Sequence, residues 1–229
     1  AGGRIATYYT TKTYSGSTTA YAGYRGGAGT IYEKDTDSQT YGNLTVNNNN
    51  LTNSAYTPLS SNHTFDNLYI QNKASLIMGT AYTLTILNTS LTMSGSLTLT
   101  TPSNFSAPNL TSLTIQNGAT LSHLSNTTAK TYYIDLSVSA PSLATLTIDS
   151  GGTINANTKG YSGGSAGSNG SGPGYGSGGS VHGGGGAYGG NGGNGNYGEI
   201  GGSAYGSLTQ PNDMGSGGGG GSAGFTGGA

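Results

Sequence analysis

Cysteine and tryptophan are absent from this sequence, and charged residues make up only 7% of it. Without cysteine the chain has no disulfides, no thiol chemistry and no cysteine-ligated metal site. Its seven Lys and Arg residues, spread over 229 positions, form no patch for a phosphate backbone or an anionic membrane surface. No apolar run reaches the roughly 18 residues that a membrane span needs. We therefore expect neither nucleic-acid binding nor membrane insertion.

The polar residues that are present are mainly uncharged. Serine, threonine and asparagine are abundant where lysine and glutamate would be usual, and the net charge is -1. A surface with so little charge is poorly suited to an isolated globule, but it suits a protein that associates with itself. This composition favours an extracellular or cell-surface protein rich in β-structure.

The first region, residues 1–42, is rich in tyrosine and threonine. Seven of the 17 tyrosines lie in it. Runs of aromatic and β-branched residues broken by glycine are typical of strands and turns. We predict strands near 4–13, 18–22 and 29–33, in a β segment that contacts another subunit.

The second region, residues 43–150, contains an internal repeat. The nonamers 68–76, 113–121 and 146–154 all follow the pattern L-x-I, two polar residues, two small or turn-forming positions, Ser/Thr, and Leu or Ile. Short alternating strands with such self-similarity predict a solenoid, specifically a parallel β-helix. The spacing of 45 residues corresponds to about two coils of roughly 22 residues, whereas the next spacing, 33, does not fit. A β-sandwich with a glycine-rich tail is the alternative.

The third region, residues 151–229, holds 34 of the 45 glycines. One interpretation is a disordered linker, because glycine-rich chains bury too little apolar surface to offset backbone entropy. Five tyrosines and the non-repetitive stretch 204–215 argue instead for an ordered layer. In that layer, glycine-rich chains with few side chains adopt the polyproline II conformation and hydrogen-bond to one another through their backbones. We predict an all-β protein with a parallel β-helix core and a packed C-terminal region of the polyglycine II type.

Three stretches resemble motifs of very large, glycine-rich secreted or cell-surface proteins of bacteria. They are GGRIATYYT at 2–10, GGGGAYGGNGGNG at 183–195 and AYGSLTQPNDMGSGGGGG at 204–221. In that group a glycine-rich block precedes a GGRIAxYY-like segment, whereas here GGRIATYY opens the chain and FTGGA closes it. The resemblance implies a structural protein of the cell exterior, and it leaves the repetitive middle of the chain uncovered.

Joining the C-terminus of one copy to the N-terminus of the next restores the continuous order FTGGA-AGGRIATYY. We therefore expect a head-to-tail homopolymer or a tandem repeat, because contacts of this kind that do not close generate filaments. The residues expected to mediate self-assembly are Gly2, Gly3, Arg4, Ile5, Tyr8, Tyr9, Phe225, Gly227 and Gly228.

Few residues are candidates for metal binding. Glu33, Asp35 and Asp37 alternate along one stretch and could offer oxygens to Ca²⁺ from one side of a strand, although a polar turn balanced by Lys34 explains them as well. The three histidines are widely separated, which argues against zinc. We expect no other cofactor.

Residues for catalysis are also few. Asp66, Asp135 and Asp149 are the candidate carboxylates for glycan cleavage, but their spacing places no pair on one face. We therefore expect a structural protein and no enzyme. An adhesin that binds surface glycans through its tyrosines is the alternative function.

Overall fold

The computed structural model describes residues 1–52, 55–79, 82–88, 90–99, 105–106, 109–134, 136, 143–222 and 226–228. The chain forms two compact units, one of Ala1–His123 with Ile134–Asn155 and one of Leu124–Tyr133 with Ala156–Ala229. All regular secondary structure in the described residues is β-strand, which confirms the prediction of an all-β protein. None of these residues belongs to a helix that is long and apolar enough to cross a membrane.

Fifteen strands are described, and all of them lie in the first unit. They are β1 (Arg4–Tyr9), β2 (Thr30–Asp35), β3 (Asn43–Asn47), β4 (Thr57–Leu59), β5 (His63–Phe65), β6 (Asn67–Gln71), β7 (Ser75–Met78), β8 (Leu84–Ile86), β9 (Ser90–Met93), β10 (Ser96–Leu99), β11 (Phe105–Ser106), β12 (Ser112–Ile115), β13 (Thr120–His123), β14 (Thr145–Ile148) and β15 (Thr153–Asn155).

The strands form three sheets, which the chain visits in turn. The first sheet has the order β1-β2-β3-β6-β9-β12-β14, the second β15-β13-β10-β7-β4, and the third β11-β8-β5. From β3 to β11, each strand lies in a different sheet from the one before it, and every third strand returns to the same sheet. All described pairs are parallel except β2 with β3, which is antiparallel.

Apolar side chains on successive strands stack in register. In the first sheet the pairing aligns Val46, Ile70, Met93 and Ile115, and each of these side chains is 0% exposed. In the second sheet, Leu76, Leu97 and Leu121 align in the same way. Because alternate residues of a strand point to opposite faces, the apolar positions of the first two copies of the L-x-I pattern fill one core, while the polar residues between them lie on the opposite face.

The nonamer repeat is a strand-turn-strand unit. Its three copies are β6–β7, β12–β13 and β14–β15, and the pair β9–β10 lies between the first two copies. Copies two and three are direct neighbours, since Leu113 pairs with Leu146 and Leu121 with Ile154. The spacing of 33 residues between these copies exceeds the roughly 22 residues of one coil because it contains Leu124–Tyr133, which belongs to the second unit.

Asparagine side chains run along the stack beside the core. Asn67 Nδ2 donates to Asn43 Oδ1 at 2.6 Å, and Asn88 Nδ2 donates to Asn67 Oδ1. Asn109 Nδ2 bonds to the carbonyl oxygen of Leu87 at 2.9 Å. Asn43, Asn67 and Asn88 thus hydrogen-bond to one another at equivalent positions of successive repeats, which favours this register of the parallel strands.

The sequence prediction was wrong for part of the N-terminal region. Residues 18–22 form no strand, and β1 ends at Tyr9 instead of near residue 13. Five glycines lie between positions 16 and 29, and glycine weakens a strand because it has no side chain to pack. The segment is held by single backbone bonds instead, such as Gly29 N to Ala20 O at 2.7 Å.

The second unit is built from backbone hydrogen bonds around one buried segment, residues 216–221. N–H groups spaced by three residues donate to the same neighbouring segment, 181–187. These bonds run from Ser216, Gly219 and Ser222 to Ala187, Gly184 and Val181, at 3.0, 2.8 and 3.2 Å. A spacing of three residues is the repeat of the polyproline II helix, whose backbone groups all point outward.

The same spacing governs the other contacts of this central segment. Its N–H groups at Gly217 and Gly220 donate to segment 168–171, while its carbonyl oxygens accept bonds from segments 161–167 and 176–179. Glycine is required at four of these positions, because a Cβ would overlap neighbouring backbone at Gly217, Gly219, Gly220 and Gly221. At Gly217, for example, it would overlap the carbonyl group of Ser162. Backbone groups thus find partners here without side chains.

Candidate functional site

The last strands of the first unit leave their apolar face open. Ile148 in β14 continues the column of Ile115 and the residues aligned with it, yet Ile148 is 45% exposed whereas Ile115 is 0% exposed. Leu146 and Ile154 are likewise 45% and 38% exposed, although their partners in the preceding strands are buried. We call β14 and β15 the C-terminal strands.

The exposure of the C-terminal strands follows from their position in the sheets. β14 is the last strand of the first sheet and pairs with β12, and β15 is the last strand of the second sheet and pairs with β13. In the described part of the chain nothing continues either sheet beyond them. An edge strand of this kind presents unpaired N–H and C=O groups as well as its apolar side chains.

A cleft lies at the opposite edge of the same unit. β1 is the terminal strand of the first sheet, and β2 lies between it and β3. Tyr32 of β2 pairs with Leu44, so the face of β1 and β2 that carries Arg4, Tyr8 and Tyr32 continues the face on which Leu44 is buried. This face and the segments 58–61 and 63–65 enclose a volume of about 560 Å³. We call it the N-terminal cleft.

Aromatic rings form one wall of the N-terminal cleft. The ring centroids of Tyr8 and Tyr32 are 5.6 Å apart at 58°, and those of Tyr32 and Phe65 are 6.3 Å apart. His63 stacks on Phe65 at 5.6 Å and 13°. Tyr32 Oη donates to the carbonyl oxygen of Tyr41 at 2.6 Å. Burial raises the pKa of Tyr32, and the nearby Tyr8 and Asp66 raise it further. The phenol therefore stays neutral at physiological pH.

Two cations accompany these rings. Lys34 Nζ donates to the carbonyl oxygen of Thr40 at 2.7 Å, and the Arg4 guanidinium forms no hydrogen bond or ion pair with the described residues. Burial, and then the positive charge of Arg4, lowers the pKa of His63. Among the described residues, none that lines the cleft carries a carboxylate. Its chemistry is that of a partly apolar, weakly positive surface that offers stacking and hydroxyl contacts.

The candidate calcium ligands are engaged in other contacts. Glu33 Oε1 pairs with Lys12 Nζ at 2.6 Å. Asp35 accepts hydrogen bonds from Ser38 Oγ at 2.8 Å and from the backbone N–H of Asp37 at 3.0 Å, and these bonds lower the pKa of Asp35. The described residues contain no group of three or more His, Cys, Asp or Glu that could hold a metal ion. Glu33, Asp35 and Asp37 therefore form an ion pair and a turn.

The self-assembly residues predicted at the N-terminus lie at the edge of the first unit. Gly2 N donates to the carbonyl oxygen of Gly27 at 2.9 Å, and the Gly3 carbonyl oxygen accepts a bond from Thr30 N at 3.1 Å. Arg4, Ile5, Tyr8 and Tyr9 belong to β1. Arg4 and Tyr8 face the N-terminal cleft, and Tyr8 is 64% exposed.

The self-assembly residues predicted at the C-terminus are bonded inside the second unit. Gly227 N donates to the Gly164 carbonyl oxygen at 2.9 Å, and the Gly228 carbonyl oxygen accepts a bond from Gly218 N at 2.9 Å. Phe225 lies outside the described residues. The structure thus places the two predicted sets in different units and bonds each set within its own unit.

The remaining titratable candidates are dispersed. His123 is buried in β13, and His182 stacks on Tyr197 with the ring centroids 5.2 Å apart. Asp66 Oδ2 accepts bonds from the backbone N–H groups of Tyr41 and Gly42 at 3.0 and 2.7 Å, which makes it a turn residue. Asp149 follows β14, and Asp135 lies outside the described residues.

Sequence reasoning missed the exposed residues of the C-terminal strands. Leu146, Ile148 and Ile154 were recognised only as members of the repeat. The position of these residues in the last copy of the repeat could have identified them as exposed. The terminal repeat of a stack has no following copy to cover it unless it carries a cap. Comparison of the chain with models of protein families, with curated proteins and with solved structures found no match.

Proposed function

We propose that the chain is a structural subunit of an extracellular filament or surface appendage that assembles end to end. The proposal interprets the first unit as a parallel β-helix, which the cyclic order of strands through three parallel sheets supports. The observation that carries it is the column Val46, Ile70, Met93, Ile115 and Ile148, whose last member alone is exposed. A second copy is the occupant that would continue this column.

The direction of the edge strands is compatible with such a contact. β14 runs parallel to β3, whereas β1 and β2 run in the opposite direction. Stacking of copies in one orientation therefore brings β1 of one copy beside β14 of another as an antiparallel pair. This pairing satisfies the free backbone groups of both edges and covers Leu146 and Ile148 with the face that carries Tyr8 and Tyr32.

Charge does not oppose association. The net charge is -1 and only 7% of residues are charged, so copies repel one another weakly. Full burial of an exposed aliphatic side chain is worth about 1.5–3 kcal/mol. Leu146, Ile148 and Ile154 are 45%, 45% and 38% exposed, so covering each of them supplies a driving force of roughly 0.6–1.4 kcal/mol. The proposal requires neither a cofactor nor a catalytic group, and its partner is the chain itself.

The test compares two neighbouring substitutions on β14. Ile148→Asp places a charge on the apolar face, whereas the matched control Thr147→Asp places it on the opposite, exposed face of the same strand. Electron microscopy should show end-to-end filaments for the wild type and for Thr147→Asp, and none for Ile148→Asp. Mass spectrometry of the polypeptide in native filaments distinguishes separate subunits from a covalent tandem repeat.

Two results would contradict end-to-end assembly. One is a wild-type chain that remains a single particle at high concentration. The other is filaments of Ile148→Asp that form as readily as those of Thr147→Asp.

A second candidate function is glycan binding by a cell-surface adhesin, and the N-terminal cleft favours it. Its volume of about 560 Å³ is within the range of small-ligand sites, and Tyr8 is an exposed ring on which a sugar can stack. Saturable binding of an oligosaccharide that Tyr8→Ala abolishes would support this function. Because assembly would cover the same face, a bound glycan should also compete with filament growth.

A further inference from the structure

We propose that the glycine-rich unit has one vacant position in its packing and that residues 189–195 of a second copy fill it. This inference rests on the proposed function, because it assumes that copies self-associate, and it adds a lateral contact to the end-to-end one. The neighbours of the central segment 216–221 define the vacant position.

Five segments surround the central segment, in an order that their mutual hydrogen bonds define. Segment 226–228 bonds to 161–164, which bonds to 168–171, which bonds to 174–179, which in turn bonds to 181–187. These bonds are Gly227 N to Gly164 O, Ser171 N to Ser162 O, Gly170 N to Gly176 O, and Gly184 N to Ser177 O. A helix with three residues per turn directs three rows of N–H and three rows of C=O outward, which makes six directions.

The sixth direction is vacant in the described residues. It lies between segments 181–187 and 226–228, and a groove of about 420 Å³ is present there. The carbonyl oxygens of Ser216 and Gly219, three residues apart, accept no backbone hydrogen bond from the described residues, and both residues line this groove. Eight of the ten lining residues are glycine. The walls of the groove are therefore nearly all backbone, which suits another bare chain in the polyproline II conformation.

Residues 189–195, with the sequence GGNGGNG, have the matching donors. Gly190 and Gly193 are exposed, and a Cβ added to either would meet no atom within 4 Å. Their N–H groups make no hydrogen bond to described residues. They are three residues apart and so lie on one side of a polyproline II helix. Two free donors at this spacing match the two free acceptors at Ser216 and Gly219.

The occupant comes from a second copy because the segment is already fixed in its own unit. Gly193 O accepts a bond from Gly185 N at 2.8 Å, and Gly192 N donates to Gly202 O at 2.9 Å. These bonds use the inner side of the segment and leave the side with Gly190 and Gly193 open. The segment can thus enter the groove of a neighbouring unit as a preformed ridge, with little ordering entropy to lose.

Cysteine cross-linking tests this contact directly, since the natural chain contains no cysteine. One preparation carries Gly193→Cys and the other Gly228→Cys, which lies in the groove wall, and both added side chains would have open space. We expect mixing and mild oxidation to yield a 193–228 disulfide-linked dimer. The matched control replaces Gly228→Cys by Gly23→Cys, an exposed glycine of the first unit with equally open space. Yields of 193–228 and 193–23 dimer that do not differ would overturn the inference.

A competitor peptide provides a second readout of the same contact. A synthetic peptide with the sequence of residues 189–195 should suppress the 193–228 product, and the same peptide with proline at positions 190 and 193, which removes both N–H donors, should not. Equal suppression by both peptides would contradict the contact, because it would show that the groove does not recognise these two N–H groups.

The two proposals can fail separately. In an Ile148→Asp background, end-to-end filaments should disappear while the 193–228 product remains, which would support the lateral contact on its own. Filaments of the two cysteine variants that yield no 193–228 product would refute the lateral contact and leave the proposed function intact.

Discussion

Replacing Gly219 by alanine should unfold the glycine-rich unit at markedly lower denaturant concentration. A Cβ on Gly219 would overlap the carbonyl group of Ser177, well inside the 3.0 Å that real Cβ atoms keep from other atoms. The Ser177 carbonyl oxygen accepts a bond from Gly184 N at 2.8 Å, and Gly219 N donates to the Gly184 carbonyl oxygen at 2.8 Å. Relief of the overlap must therefore stretch at least one of these two bonds.

Three contributions determine the free-energy cost of Gly219→Ala. Overpacking a close-packed interior costs about 1–3 kcal/mol. Each weakened backbone hydrogen bond adds about 0.5–1.5 kcal/mol. The smaller conformational freedom of alanine in the unfolded chain returns about 0.4–1 kcal/mol. With one bond weakened, the expected loss of unfolding free energy for Gly219→Ala is about 0.5–4 kcal/mol with a central value of about 2 kcal/mol, which is a large part of the stability of a small domain.

Hydrogen exchange is the suitable assay because the chain has two units, which could unfold in separate transitions. The amides of Gly184 and Gly219 should lose protection in Gly219→Ala, while the amides of β6 and β12 keep theirs. The control is Gly189→Ala, where the added Cβ meets nothing within 4 Å and no loss is expected. If both variants keep the same protection, glycine is not required for packing at the centre of this unit, and the reasoning is refuted.

Two further predictions concern single polar side chains. Asn126→Ala should destabilise the glycine-rich unit by about 1–3 kcal/mol, because the buried Asn126 accepts bonds at Oδ1 from the backbone N–H groups of Thr131 and Tyr132, at 2.8 and 2.7 Å. Urea unfolding checks this prediction, with Asn212→Ala at an exposed position as the control. Equal unfolding midpoints for the two variants would contradict it. The lowered pKa of His63 should make the first unit lose stability as pH falls from 6.5 towards the folded-state pKa, and His63→Gln should lack this decline.

The sign of the His63 effect follows from proton binding. A histidine whose pKa is lower in the folded state binds fewer protons there than in the unfolded chain, so stability rises with pH between the two pKa values and is complete above 6.5. Unfolding midpoints measured from pH 5 to 8 show the dependence. A wild-type profile that coincides with that of His63→Gln would refute it.

The sequence determined the class of the fold and the identity of its core. The L-x-I alternation places Ile70, Leu113 and Ile115 on one face of their strands wherever those strands lie, because side chains alternate with a period of two residues. The high glycine content likewise required that the C-terminal region use backbone bonds if it was to be ordered. These properties are local, and so a single sequence reveals them.

Tertiary structure decided which repeat is the last one and which backbone groups remain free. Ile115 and Ile148 occupy equivalent positions of the same motif, yet one is buried and the other exposed, because only one of them has a further strand beside it. Similarly, Gly193 and Gly219 are alike in sequence, but the number of segments around each differs. Coverage by neighbours depends on how distant parts of the chain meet, and no local pattern of residues contains that information.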